Sequence, residues 1–264
     1  MKTKLTQTLS VLMILLGITA TAEAGSMANA EPQFKAEEIV SFAKKVEKTL
    51  AAKGARVFIL SRVGRPTSDL PKGIHYTHTA IGVYSMIKTA DGREVPGYAI
   101  YNLYQREKKP DVSDLIVDYP VDFFAGVYEL KAGIVIPTPE LQQRLLQVIA
   151  SDTYKELHNP DYSVIANPYN SKFQNCTEHT LDVINAAIYQ TADMKQIKSN
   201  TKAYFDAQNI HVSPFKLLAG AMFMPDVKTS DQKRGIRTST YTTIAKYLDK
   251  YDLIQEQIVI TQEL

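Results

Sequence analysis

The stretch from residue 74 to residue 104 constrains the fold most. Residues 74–87 are rich in β-branched and aromatic side chains, residues 98–104 repeat that composition, and Asp91-Gly92 stands between them. Asp-Gly is a strong hairpin-turn dipeptide, because the turn needs positive φ at positions that Gly and Asp tolerate. An antiparallel hairpin is expected, and an antiparallel sheet with it. In Tyr76-Thr77-His78-Thr79-Ala80-Ile81-Gly82-Val83-Tyr84 the period of two puts Tyr76, His78, Ala80, Gly82 and Tyr84 on one strand face. Small Ala80 and Gly82 should leave room beside His78 for a helix end or a substrate.

Helical periodicity accompanies the hairpin. Phe34, Ile39, Phe42, Val46 and Leu50 form one apolar face over residues 34–53, and Gly54 follows as a stop. The same spacing predicts helices over 139–151, about 176–189 and 238–250. Further strands are expected over 55–63, 134–136 and 256–261, with a short strand-like piece at 162–166. Residues 113–124 read as a capped, partly helical segment, and 192–224 as mixed and helical in part. Hydrophobic residues are 45% of the 264, enough for a sizeable core. No repeat or low-complexity linker divides the chain. The class is α+β: a core over 55–190, preceded by an N-terminal helix within 31–54 and followed by a C-terminal helical extension over 191–264.

The N-terminus reads as a signal peptide. Lys2 and Lys4 precede the apolar run of residues 9–18, and Ala22-Glu23-Ala24 has the small-x-small form of a cleavage site. Removal of residues 1–24 is expected, with an alternative end at residue 30. The run is shorter than the roughly 20 residues that span a bilayer, and no later segment is apolar enough to cross one. The protein is thus expected to be periplasmic or secreted, in a Gram-negative bacterial envelope. Net charge is +2 with no basic stripe interleaved with aromatics, which argues against nucleic acid as partner.

Chemistry concentrates around the single cysteine. In Gln174-Asn175-Cys176-Thr177-Glu178-His179, Asn175 suits a helix N-cap and Glu178 can return a hydrogen bond to it. Cys176 then sits in the first turn, where unpaired N–H groups and the helix dipole favour a thiolate, the nucleophilic form. The same N–H groups can cradle an oxyanion, with Thr177 beside them and Gln174 as a further donor. The alternative is a small buried residue at a helix start.

A nucleophilic thiol needs a base, and His78 on the strand is preferred. His179 is the rival, three residues from Cys176 on the same helix. In the paired strand, Asn102 shares a face with Tyr98, Ile100 and Tyr104, and its amide oxygen can orient the His78 ring. A zinc site of His75, His78 and Cys176 fits no tight ligand spacing. No metal or cofactor is expected.

The order strand histidine, hairpin strand, helix-start cysteine resembles the circularly permuted papain-like fold, which includes permuted relatives of NlpC-type cell-wall peptidases and of lecithin:retinol acyltransferase. A closer resemblance is to the bacterial domain of unknown function 2145 family. It rests on Ser61-Arg62-Val63-Gly64-Arg65, Tyr76-Thr77-His78, Tyr101-Asn102-Leu103-Tyr104, Asp122-Phe123-Phe124, Ile136-Pro137, Ala166-Asn167-Pro168 and Gln174-Asn175-Cys176-Thr177-Glu178. That resemblance implies an antiparallel sheet packed against a helix with the cysteine at its start, and a catalytic Cys176–His78 pair with Asn102 as third residue. The expected function is a cysteine hydrolase, an amidase, peptidase or acyl-transfer enzyme, acting on a peptide- or acyl-containing envelope substrate. The alternative is a non-catalytic envelope binding module on the same fold.

Overall fold

The structure, a computed structural model, describes residues 31–89, 91–211, 224–233 and 235–262. The expected signal peptide lies outside these residues. Its centre is a six-stranded sheet, antiparallel at every pairing, in the order β4-β3-β2-β1-β5-β8. The strands are β1 (Val57–Val63), β2 (His78–Lys88), β3 (Glu94–Arg106), β4 (Lys109–Asp118), β5 (Glu129–Pro137) and β8 (Ile254–Thr261). The predicted hairpin is β2–β3, with Tyr84 opposite Tyr98 and Gly92 at a φ of 84° in the turn. A separate two-stranded piece pairs β6 (Gln208–Ile210) with β7 (Ile236–Thr238).

Helices cover both sheet faces. Alternation along β1 shows how. Phe58 and Leu60 point to one side, where they meet Ile39, Phe42 and Val46 of α1 (Ala36–Ala52) and Phe123 and Phe124 of α2 (Pro120–Ala125). Val57 and Ile59 point to the other, into a core shared with α3 (Pro139–Ala150), α5 (Cys176–Tyr189) and α7 (Tyr241–Lys250). Every residue of β1 is therefore buried, as two-sided coverage requires. Between the larger helices lie α4 (Thr153–Glu156) and α6 (Met194–Tyr204).

Buried polar ties fix the helices that matter for the site. The Gln142 side chain on α3 accepts from Arg56 N and Val57 N and donates to Pro137 O, locking α3 to β1 and β5. Lys198 on α6 donates to Glu178 at 2.7 Å and to both Asp182 oxygens at 2.7 and 2.8 Å, which anchors α5 from below. Burial opposes charge on all three groups. The two carboxylates together still hold the Lys198 ammonium above its ordinary pKa, while burial leaves both carboxyls above theirs.

Three expectations change. Residues 113–124 are the end of an edge strand followed by a short helix opened by Pro120, because pairing of β4 to β3 overrides a segment with no clean alternation. The strand-like piece at 162–166 makes one isolated bridge, Tyr162 to Gln174. The C-terminal residues are more than a helical extension, since β8 is the sixth strand of the main sheet. Among the described residues, no helix is long and apolar enough to cross a membrane.

The space beside Gly82 is taken by protein. A Cβ there would lie 2.1 Å from the Phe58 ring. Gly82 is thus a packing residue between β2 and the α1 side, and leaves no room for substrate. Gly82→Ala should cost on the order of 1–3 kcal/mol of stability by overpacking. Urea denaturation measures it, and an unchanged midpoint would contradict this packing.

Candidate active site

The site forms where β2 and β3 part. Pairing of β1 with β2 continues to Arg62–His78, but pairing of β2 with β3 stops at Ile81–Tyr101. Across the gap the side chains take over from the backbone. His78 Nε2 lies 3.0 Å from Asn102 Oδ1, both residues fully buried. The His78 ring stacks on Tyr104, 4.6 Å between centroids and 8° from parallel, and packs against Phe123 of α2. Arg62 closes this pocket, its guanidinium over the Tyr104 and Phe123 rings and donating to Phe123 O.

Behind Asn102 stands a residue that sequence reading did not select. Asn102 Nδ2 donates to Asp118 Oδ1 at 2.8 Å and to Ile100 O at 2.9 Å, and the Tyr104 hydroxyl donates to Asp118 Oδ2 at 2.9 Å. Burial pushes the Asp118 carboxyl up to about 6, against the pull of Tyr104, Asn102 and Arg62. Its only sequence signal was its place two residues before Pro120, at what proved to be a strand end.

Cys176 approaches from α5. The Asn175 side chain caps the helix by accepting from Glu178 N at 2.9 Å, as its residue type predicts. Leu181 and Ile184 bury the helix on the sheet, which brings its first turn to Thr79. Cys176 shares a small buried cluster with Leu103 and Tyr162, and its sulfur lies 3.7 Å from the Thr177 hydroxyl. Backbone N–H groups of Thr79 and Thr177 face it and favour its charged form, yet burial outweighs them and pushes the thiol above its ordinary pKa. The sequence expectation of a depressed thiol is thereby corrected: the first turn is present, but the sulfur in it is buried. His78 moves the other way, well below the ordinary imidazole pKa, through burial first and the Arg62 charge second. Both groups are neutral at neutral pH.

Among the described residues no hydrogen bond joins the Cys176 sulfur to the His78 ring, and His78 Nδ1 is buried without a partner. Thr79, the residue after His78, is the link between them, because its N–H faces the sulfur. Cys176 and Thr177 also line a cleft of about 440 Å³ whose wall is mainly apolar, including Leu70, Ile74, Tyr76, Val164 and Ile236. Arg65 and Asp69 add charge to that lining. His78 and Asn102 are not part of that lining.

The remaining candidates fall elsewhere. Gln174 supplies no oxyanion donor, since its two amide hydrogens go to Leu157 O and Asp182 Oδ2 and its oxygen accepts from Asn159 N. Its role is to join α5 to the segment before it. His179 points away from the sulfur, donates to Tyr154 O at 3.4 Å and is pushed by burial down to about 3. His75 is exposed. Among the described residues no group of three or more His, Cys, Asp and Glu is placed to hold a metal ion.

The neutral thiol has a direct readout. Thiolate absorbance near 240 nm should rise with a midpoint above ~8.5, the ordinary cysteine value, because burial outweighs the facing N–H groups. A midpoint below neutrality would contradict the burial of this sulfur.

No curated protein and no solved structure matches the chain. A family model described as an uncharacterized protein conserved in bacteria (DUF2145) matches residues 49–248. That span takes in β1 to β5, α5, the His78–Asn102 pair and Cys176. It is wider than the stretch that carries the sequence motifs, and by it the chain belongs to the DUF2145 family of bacterial proteins.

Proposed function

We propose that the protein is an exported cysteine hydrolase or acyl-transfer enzyme, in which Cys176 attacks the carbonyl of an apolar acyl or peptide group lying in the cleft. One observation carries the reading. His78 is fully buried, Asn102 holds its Nε2, its Nδ1 is free of any partner, and the N–H of the next residue, Thr79, faces the only thiol of the chain. A buried, unsatisfied polar atom is costly unless it is used. The helix-start cysteine, the antiparallel sheet and the chain order of His78 before Cys176 also favour the permuted papain-like fold as part of this reading.

The chemistry starts from two neutral groups. As the substrate carbonyl settles beside Sγ, the S–C bond forms and the thiol proton passes to Nδ1. The carbonyl electron pair moves to oxygen, which the N–H groups around Cys176 and Thr177 receive. Collapse expels the leaving group, and it takes the proton back from Nδ1. Water, or another acceptor, then attacks the thioester and gives its proton to Nδ1; the C–S bond breaks, and the sulfur takes that proton back from Nδ1 and leaves as the thiol. Attack requires Sγ to swing toward Nδ1; such contacts often close only when substrate is bound.

The second reading, a non-catalytic binding module, is favoured by the raised thiol and by the missing bond between sulfur and ring. Hydrolysis of p-nitrophenyl esters of graded chain length separates the two. The hydrolase reading expects a preference for longer acyl chains over acetate, because the cleft wall is apolar. His78→Ala should lower kcat about 10²–10⁴-fold, the usual contribution of a general base, and Cys176→Ala should remove the activity. If the native protein turns over no ester faster than Cys176→Ala while still binding an unreactive acyl amphiphile, the binding module stands instead.

A further inference from the structure

We propose that Asp118 is a positioning residue: through Asn102 it holds His78 in the tautomer whose bare Nδ1 can take a proton from Cys176. The proposal rests on the hydrolase reading for its purpose, but its geometry stands apart from it.

The hydrogen-bond chain leaves little freedom. Asn102 Nδ2 has two hydrogens, and they go to Ile100 O and Asp118 Oδ1. Both partners are acceptors. An amide oxygen in that place would set its lone pairs against them, so the amide is held with Oδ1 toward His78. At 3.0 Å from that oxygen, Nε2 is the donor. A neutral imidazole carries one N–H, which leaves Nδ1 as a lone pair. Asp118 is itself fixed, because it lies opposite Ile100 in the β3–β4 ladder and accepts from the Tyr104 hydroxyl.

Removing the carboxylate leaves the amide held only by Ile100 O. A flipped amide presents N–H to Nε2, which drives the imidazole hydrogen to Nδ1 and abolishes the base. Protonating Asp118 acts in the same direction, since a neutral carboxyl is a weaker acceptor for Asn102 Nδ2 than a carboxylate. The charged and titratable groups around Asp118 are Arg62 on β1, Tyr104 on β3 and Asp122 on α2. Burial and Asp122 push its carboxyl up and the others pull it down, so the network should loosen as pH falls through about 6.

The test is long-range proton–nitrogen NMR on the whole protein with 15N-labelled histidine. The native protein at pH 8 should show His78 as the Nε2–H tautomer, and Asp118→Ala should populate the Nδ1–H form. In ester kinetics that variant should lose about 10- to 100-fold in kcat, part of the general-base contribution. KM should change little, because Asp118 does not line the cleft. An unchanged tautomer in folded Asp118→Ala overturns the proposal. If that variant does not fold, the nearly isosteric Asp118→Asn decides: the native change in the His78 signals between pH 5 and 7.5 must disappear, and its persistence overturns the proposal. A tautomer that shifts in a protein with no esterase activity supports the positioning role and sinks the hydrolase reading alone. Activity and tautomer that both survive Asp118→Ala do the reverse.

Discussion

The site depends on one side-chain hydrogen bond, His78 Nε2 to Asn102 Oδ1, made where the backbone ladder between β2 and β3 ends. If β2 and β3 stayed paired to the strand end, the N–H of Thr79 would be drawn into the ladder and would not face the Cys176 sulfur. If they parted without a side-chain tie, His78 would lose its orientation. The bond permits the gap and controls it. Around it the aromatic rings of Tyr104 and Phe123 and the Arg62 guanidinium fill the pocket, so His78 has little room to turn.

Burial sets the electrostatics. A helix start and two facing N–H groups act to lower the thiol pKa, and desolvation acts to raise it; desolvation prevails. The same force and the Arg62 charge keep the His78 imidazole neutral. An ion pair between thiolate and imidazolium would need both shifts to run the opposite way. The proposed chemistry is accordingly one of concerted proton transfer from a neutral thiol, with charge appearing only as the carbonyl is attacked. A mainly apolar cleft beside the sulfur suits that scheme, because a bound acyl group would displace water from the attacked carbonyl.

Much of this was legible in the residues. Asp91-Gly92 with its flanking strands specifies the hairpin, the hairpin register brings Asn102 to His78, and Asn175 marks the start of α5 as its cap, although Glu178 gives its carboxylate to Lys198 and returns no bond to the cap. These are local signals with a fixed period or a fixed spacing. What stayed hidden was long-range. Asp118 lies on an edge strand that has no clean alternation, and only its pairing with Ile100 reveals its place behind Asn102. Gln174 looks like a donor next to a nucleophile until Leu157 and Asp182 are seen to take its hydrogens. The sign of the thiol shift was also beyond reach, because capping residues show where a helix begins and say nothing of how deeply that beginning is buried.

The account turns on whether Cys176 becomes acylated with the help of His78. Intact mass and peptide mapping of the protein after brief exposure to an activated long-chain acyl ester would read this directly. A thioester on Cys176 that forms in the native protein and fails to form in folded His78→Ala is the predicted result. An unmodified Cys176, or one acylated equally well without His78, would contradict it.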